Sequence, residues 1–346
     1  MLDSRAPVRR GPRSFRGLVI ALLGSVFALS GCGSGGSAPS DPAKPAGALA
    51  EALATVSGGG APGSLGFGWA DPDATIELDG GRRLIESALG PNAESVIQGA
   101  EPLRRLDFHP DTAERLVSIG GSYAFGLRLD GVDGRGLARA LEGDGARSRR
   151  DGDLKLVEAG PYASVPDPLL AADVNGLGAF DALGPDVSVL AMSETARASL
   201  LGAGGETMLE EPVYAAAAEC LGDVAAARMV PDKLLLSIEL GVTLAGAGVG
   251  PGGEVICVVG GDEGRRGEIA VALEKGLSPE AVDPRTDQPL DERIEAVDVT
   301  TGERDGAGYV RAAITPAPGS APGYAFETIS SGALGTLIAA GSVHSP

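Results

Sequence analysis

The sequence has 346 residues, of which 43% are hydrophobic and 4% aromatic, so a folded core must rest on aliphatic side chains. Asp and Glu number 47 against 28 Lys and Arg, which gives a formal net charge of −19. Because nucleic-acid binding draws much of its affinity from neutralising phosphates, we expect no nucleic acid among the partners of so acidic a chain.

The first 31 residues have the zones of a secretory signal peptide. Five arginines make the beginning of the chain basic: Arg5, Arg9, Arg10, Arg13 and Arg16. Leu18–Gly31 then forms an apolar run of about fourteen residues, which is shorter than the roughly 20 residues that a membrane-spanning helix needs. Residues 1–31 are therefore predicted to be a signal peptide.

The apolar run ends at Leu29–Cys32, whose sequence Leu-Ser-Gly-Cys resembles the bacterial lipobox. The resemblance implies that Cys32 receives a diacylglyceryl group and becomes the first mature residue, carrying at least two acyl chains that anchor it stably. The membrane is then a partner through Cys32, and the protein lies on the extracytoplasmic face of the cell membrane. The alternatives are an ordinary signal peptide with an incidental cysteine, and a twin-arginine signal, which the residues after Arg10 do not favour.

Residues 32–47 are predicted to be a flexible tether. Gly33–Gly47 is rich in glycine, serine and proline and has almost no side chain to bury. A tether of this composition has a root-mean-square reach of roughly 20 Å. We expect it to hold the folded region near the membrane without fixing its orientation.

The rest of the chain contains two similar stretches, which predict a first unit at 48–209 and a second at 210–346. The similarity begins with Tyr123–Gly143 and Val255–Gly276, both of which predict a strand, a turn and a helix. The length of the chain after the tether suits two related units better than one compact core. We interpret the similarity as an internal duplication.

A predicted hairpin is the second block of similarity. Ala146–Pro161 and Thr301–Pro316 both contain Arg-Asp-Gly between strand-like runs, and Asp-Gly is a strong signal for a two-residue turn. The second copy has an additional acidic insertion, Ser278–Glu292, before its hairpin.

The third block is predicted to be a strand that leads into a helix. It comprises Pro185–Leu201 in the first copy and Pro322–Ile338 in the second. In each copy a serine, Ser193 or Ser330, is placed to cap the helix that follows.

Four further elements complete the prediction. Gly47–Val56 has the pattern of an amphipathic helix, and Ser64–Ala70 that of a strand. Glu210–Val230 predicts a helix whose last part, from Asp223, could instead be a strand, and Leu234–Leu244 predicts a strand. Local hairpins combined with helices favour an α+β fold, with two similar units of mainly antiparallel sheet and packed helices.

Cys220 and Cys257 are the cysteines that remain after lipidation of Cys32. In an oxidising compartment two thiols usually form a disulfide, and two separately buried thiols are the alternative. The surroundings of Cys220, Ala218–Val224, loosely resemble secreted actinobacterial lipoproteins of unknown activity, and that resemblance implies no activity for this chain.

Residues that carry catalysis are scarce. The two histidines are His109, between two aspartates, and His344, near the C-terminus, and no G-x-S-x-G motif occurs. We interpret His109 as a surface or capping residue, and Gly248–Gly253, which satisfies G-x-G-x-x-G, as a hairpin loop because a strand follows it. No catalytic residue, metal site or cofactor is predicted.

These observations favour a non-catalytic binding or structural module of the cell envelope, with a protein or envelope component as its partner. The alternative is a carrier for an apolar small molecule or lipid, held between sheet and helices. A third possibility is a hydrolase that uses carboxylates alone, because acidic residues are abundant.

Overall fold

Twelve strands form the centre of the computed structural model, which describes residues 47–58, 65–90, 104, 106–120, 125–143, 145–158, 180–203, 205–231 and 241–342. The strands in chain order are β1 (Phe67–Ala70), β2 (Arg115–Ile119), β3 (Gly126–Asp130), β4 (Arg147–Asp151), β5 (Leu154–Glu158), β6 (Asp181–Leu183), β7 (Val187–Ala191), β8 (Ala226–Pro231), β9 (Val242–Gly250), β10 (Gly253–Gly260), β11 (Ile294–Arg304) and β12 (Ala307–Pro316).

The strands belong to a single 12-stranded sheet in the order β11-β12-β10-β9-β8-β1-β2-β3-β7-β6-β5-β4. Every neighbouring pair is antiparallel. The strands of 48–209 occupy one half and those of 210–346 the other, and the halves meet where β1 pairs with β8. The fold is α+β, with an antiparallel sheet that the two predicted units share.

Helices lie on both faces of this sheet. In chain order they are α1 (Ala48–Leu53), α2 (Pro72–Ile76), α3 (Gly81–Leu89), α4 (Arg135–Gly143), α5 (Glu194–Leu200), α6 (Pro212–Leu221), α7 (Glu263–Gly276), α8 (Tyr324–Ser330) and α9 (Ala333–Ser342). Helices α3, α4, α7, α8 and α9 pack on one face and bury the first core. Helices α1, α5 and α6 pack on the other and bury the second core. None of the described helices combines the length and apolar character needed to cross a membrane.

The two cores follow from the two-residue period of the strands. In β2, Leu116 points into the first core and its neighbour Val117 into the second. In β1, Phe67 and Trp69 belong to the second core and Ala70 to the first. Both faces are therefore buried near the centre of the sheet, which is why β1 is apolar throughout.

The two predicted hairpins are confirmed, with different turns. In the second copy the turn residues are Asp305 and Gly306, both with positive φ, as in a type I′ turn. In the first copy the turn lies one residue later, at Gly152 and Asp153, and Gly152 has the positive φ. Gly152 is thus in the first turn position, where a type II′ turn places its glycine.

The third block is confirmed in the first copy and wrong in the second. Strand β7 leads into α5, and the Ser193 hydroxyl accepts a hydrogen bond of 3.1 Å from the Ala196 N–H. In the second copy α8 replaces the predicted strand, and Ser330 is its last residue rather than a cap. The reason is a tertiary contact, since the buried carboxylate of Glu254 binds the first backbone N–H groups of α8.

Strand order also differs between the halves. In the first half β7 and β6 lie between β3 and the β4–β5 hairpin, whereas in the second half β12 pairs directly with β10. The two halves therefore share local elements and differ in connectivity, which counts against an exact duplication. The boundary at 209/210 and the duplication itself stay predictions.

The other predicted elements agree with the structure in most cases. The opening helix is α1 and the first strand is β1. Glu210–Val230, whose last part could be either a helix or a strand, contains the helix α6 followed by the strand β8. Of the strand predicted at Leu234–Leu244, Val242–Leu244 belongs to β9, which continues to Gly250, and residues 232–240 lie outside the described residues. The glycine-rich Gly248–Gly253 contains the turn between β9 and β10.

Cys220 at the end of α6 and Cys257 in β10 have their sulfur atoms 2.13 Å apart, at bonding distance. The Cα atoms are 6.0 Å apart and the two residues are 37 positions apart in the sequence. Both side chains are fully buried in the second core. A disulfide here joins the helical layer to the sheet.

The disulfide gives the first testable prediction. Replacing both cysteines, Cys220→Ser and Cys257→Ser, should lower the free energy of unfolding by about 3–4 kcal/mol, because closing a loop of this length restricts the unfolded chain. Urea unfolding of the double variant and of the native chain measures the difference.

A reducing agent serves as the control for this experiment. It should destabilise the native chain and leave the double variant unchanged. Equal sensitivity of the two proteins, or an intact mass equal to that of the fully reduced chain, would show that the thiols are not bonded.

Candidate functional site

The predicted lipidation site, Cys32, lies outside the described residues, as does His344. His109 lies 3.6 Å from the Asp107 carboxylate, and its side chain is about half exposed. Pro110 begins a single 3-10 turn directly after it, as the capping interpretation expected. In the described ranges, no three His, Cys, Asp or Glu side chains are grouped closely enough to hold a metal ion.

An open cleft lies at one end of the sheet and is lined by described residues. It has a volume of about 280 Å³. Its walls come from the β9–β10 turn, the end of β12, and the segments beside α2 and α8: Leu78, Asp79, Val249, Gly250, Pro251, Gly252, Gly253, Thr315, Pro316 and Pro322. Most of these side chains are apolar, so the cleft suits a small apolar group.

Close packing at the base of the cleft depends on glycine. Gly253 begins β10 with a φ of +108°, and a Cβ atom placed on it would lie 2.5 Å from the Ile314 carbonyl oxygen. A larger residue would therefore push β12 away from β10. Gly252, beside it in the turn, faces open space.

Glu254 follows the cleft-lining glycine and points into the first-core side of the sheet. Its carboxylate is buried and accepts hydrogen bonds from the N–H groups of Gly323, at 2.9 Å, and Ala325, at 2.7 Å. Burial raises the pKa of Glu254, and the backbone hydrogen bonds offset part of that shift. The interaction fixes the beginning of α8 beside the cleft.

A cluster of charged groups surrounds Tyr324 in the same region. The guanidinium groups of Arg285 and Arg293 lie 5.1 and 5.3 Å from the centre of its ring, at cation–π distance. Both arginines also donate hydrogen bonds of 3.0 Å to Glu327. Burial acts to raise the pKa of Glu327, but the hydrogen bonds and the positive charges of the two arginines together outweigh it and leave the pKa lowered. With every member paired, the cluster holds the acidic insertion against α8.

A second buried carboxylate, Asp181 in β6, is poorly satisfied. One oxygen accepts a 3.3 Å hydrogen bond from the Ala191 N–H, and the other has no hydrogen-bond partner. Burial raises the pKa of Asp181 to about 8, with the Ala191 hydrogen bond and the charge of Arg197 opposing the shift. Arg197 is itself buried, and its Nη1 atom also lacks a partner.

Sequence reasoning pointed to Cys220 and Cys257 and predicted Gly248–Gly253 as a hairpin loop, but it did not predict the cleft, the charged cluster or the buried acids. The cleft joins segments more than 200 positions apart, and Glu254 contacts a helix about 70 residues further along the chain. Asp181 carries no local signal, because it is one of 47 acidic residues. The buried groups of Asp181 and Arg197 and the charged cluster were therefore missed.

Comparison with known proteins adds little to this description. No protein-family model matches the sequence, and a search of curated proteins gave no match. A similar solved structure is that of crystal form I of TP0453, with 10% sequence identity and a TM-score of 0.39. The similarity covers 83% of this chain and 96% of that chain. At that TM-score no property of TP0453 transfers to this chain.

The raised pKa of Asp181 gives a pH-dependent prediction. Between the ordinary value of 3.8 and about 8, the folded state holds a proton that the unfolded state releases. The free energy of unfolding should therefore fall as the pH rises through this window, by at most about 1.4 kcal/mol per pH unit. Asp181→Asn should be more stable than the native chain at pH 8 and no more stable at pH 4, as measured by urea unfolding.

Asp186→Asn is the matched control, because Asp186 is exposed in the turn between β6 and β7. It should keep the pH dependence of the native chain. Glu254 contributes to that dependence in all three proteins, so the difference between them isolates Asp181. If the free energy of unfolding changed with pH in the same way for the native chain and for Asp181→Asn, a raised pKa of Asp181 would be contradicted.

Proposed function

We propose that the chain is a lipid-anchored extracytoplasmic protein whose folded region is a non-catalytic binding or structural module of the cell envelope. The observation that carries this proposal is the lipobox-like sequence at Leu29–Cys32, which follows a basic start and a short apolar run. Diacylated cysteine is a stable anchor. The glycine- and serine-rich tether that follows leaves the folded region free to meet a partner.

The packing of the described residues supports a role for the surface of the fold. The largest side chains of both cores are almost completely buried, among them Trp69, Tyr214 and Phe326. Both faces of the sheet carry a helical layer, which leaves little room between sheet and helices for a ligand. A partner would then be bound from outside, by loops, edges or helix surfaces.

The carrier function is the second candidate, and the cleft beside the β9–β10 turn favours it. Its walls are mostly apolar, as those of small-molecule sites are. Its volume of about 280 Å³ lies at the lower limit for such sites, and it is open to solvent. A ligand there would be partly exposed, which is better suited to an acyl end or a side chain of a partner than to an enclosed lipid.

Substitution of the proposed anchor residue tests the first candidate. Cys32→Ala should leave an uncut precursor without lipid, because the thiol that accepts the diacylglyceryl group is missing. The measurement is the intact mass of the chain from the membrane fraction, together with incorporation of a labelled fatty acid. Ser30→Ala is the control, since alanine is also typical of that lipobox position, and it should be processed normally. Normal cleavage and labelling of Cys32→Ala would remove the proposal.

Native mass spectrometry tests the carrier function. The module proposal predicts that the purified chain has the same mass before and after denaturation. A carrier would instead release a small molecule on denaturation. That molecule should be lost from Gly252→Trp, whose indole would enter the cleft from a position with open space around it, and retained by Gly267→Trp, an exposed control on α7.

A further inference from the structure

The two outer edges of the sheet carry opposite charge. Strand β4 ends the sheet on one side, and all five of its residues are exposed, including Arg147, Arg149 and Arg150. Strand β11 ends it on the other side and carries exposed Glu295 and Asp298. Within the described part of the chain none of these five side chains forms an ion pair. Among the described residues, β4 thus places three exposed arginines at the end of the sheet of an acidic protein.

We propose that two copies of this chain pair edge to edge, with β4 of one copy against β11 of the next. Free strand edges present unpaired backbone N–H and C=O groups that a further strand can satisfy. Pairing of two β4 edges would oppose arginine to arginine, and pairing of two β11 edges would oppose acid to acid. Charge therefore selects the mixed pairing over both symmetric ones.

Strand direction supports the same arrangement. All neighbouring strands are antiparallel and the sheet has 12 of them, so β11 and β4 at its two ends run in opposite directions. A second copy placed beside the first in the same orientation thus brings β11 antiparallel to β4. The sheet continues without a change in pairing type.

Three of the five charged side chains, Arg147, Arg149 and Asp298, lie on matching faces. Arg149 pairs with Leu156, whose side chain is in the second core, and Arg147 lies on the same face two residues away. Asp298 pairs with Ala313, whose neighbours Ala312 and Ile314 point into the first core. Asp298 is therefore on the second-core face as well, where Arg149 of the next copy would meet it across the strands.

The other face of β4 carries Ser148 and Arg150, whose cross-strand partners in β5 are Val157 and Lys155. The carboxylate of Glu142 in α4 accepts hydrogen bonds from Ser148 of β4 and from Lys155 of β5. On the second-core face, where Asp298 of a partner strand would lie, the positive charge of β4 comes from Arg147 and Arg149. Because the two contacting surfaces differ, the association is head to tail and can add further copies.

Charge exchange tests this inference on the purified full-length chain without lipid, because acyl chains would themselves cause association. The native chain should show a mean mass in light scattering that rises with concentration and falls with added salt, since salt screens exposed charges. Arg149→Glu alone and Asp298→Arg alone should each associate about tenfold more weakly, because a favourable cross-strand pair becomes a like-charge contact. An equimolar mixture of the two variants should recover the association of the native chain.

Cysteine cross-linking tests the alignment. If Arg149 lies opposite Asp298 in antiparallel strands, Arg147 lies opposite Thr300. A copy with Arg147→Cys should then form a disulfide-linked dimer with a copy carrying Thr300→Cys, and not with one carrying Glu263→Cys, an exposed control on α7. A native chain that stays monomeric at every concentration, or a variant mixture that fails to recover association while both variants remain folded, would overturn the inference.

Discussion

The pairing of β1 with both β2 and β8 is the constraint on which the rest of the fold depends. Four residues, Phe67–Ala70, connect the two halves of the sheet and are buried on both faces. Gly68 in this strand has room for no larger residue, because a Cβ atom would lie 2.4 Å from the Ala88 carbonyl oxygen and from the Ser118 hydroxyl. Helix α3 can therefore lie close against the strand, and both cores extend across the join.

Local signals in the sequence were sufficient for elements whose stability is local. Asp-Gly predicted both hairpins, although not the position of the first turn, and Ser193 marked the beginning of α5. The error at Pro322–Ile338 has the opposite cause. Tyr324–Ser330 contains aromatic and β-branched residues that favour a strand, yet it forms a helix because Glu254, far away in the chain, satisfies its first N–H groups. Propensity is a weak term that one buried carboxylate can outweigh.

The candidate sites also divide into those that the sequence indicates locally and those that depend on contacts between distant segments. Counting cysteines was enough to pair Cys220 with Cys257, because the choice was small. The cleft depends on contacts between the β9–β10 turn and segments distant in sequence, which no local pattern encodes. The exposed arginines of β4 were visible in the sequence as part of a hairpin, but their meaning depends on β4 being the last strand of the sheet.

Net charge and edge charge act over different distances, and this difference decides how copies of the chain would meet. A formal charge of −19 repels other copies at long range, but at physiological salt such repulsion is screened beyond about 8 Å. At contact, the nearest groups decide the outcome, and the β4 and β11 edges bring opposite charges together. The overall acidity then opposes unspecific association through the rest of the surface. The arginines of β4 still permit one arrangement, in which β4 of one copy lies against β11 of the next.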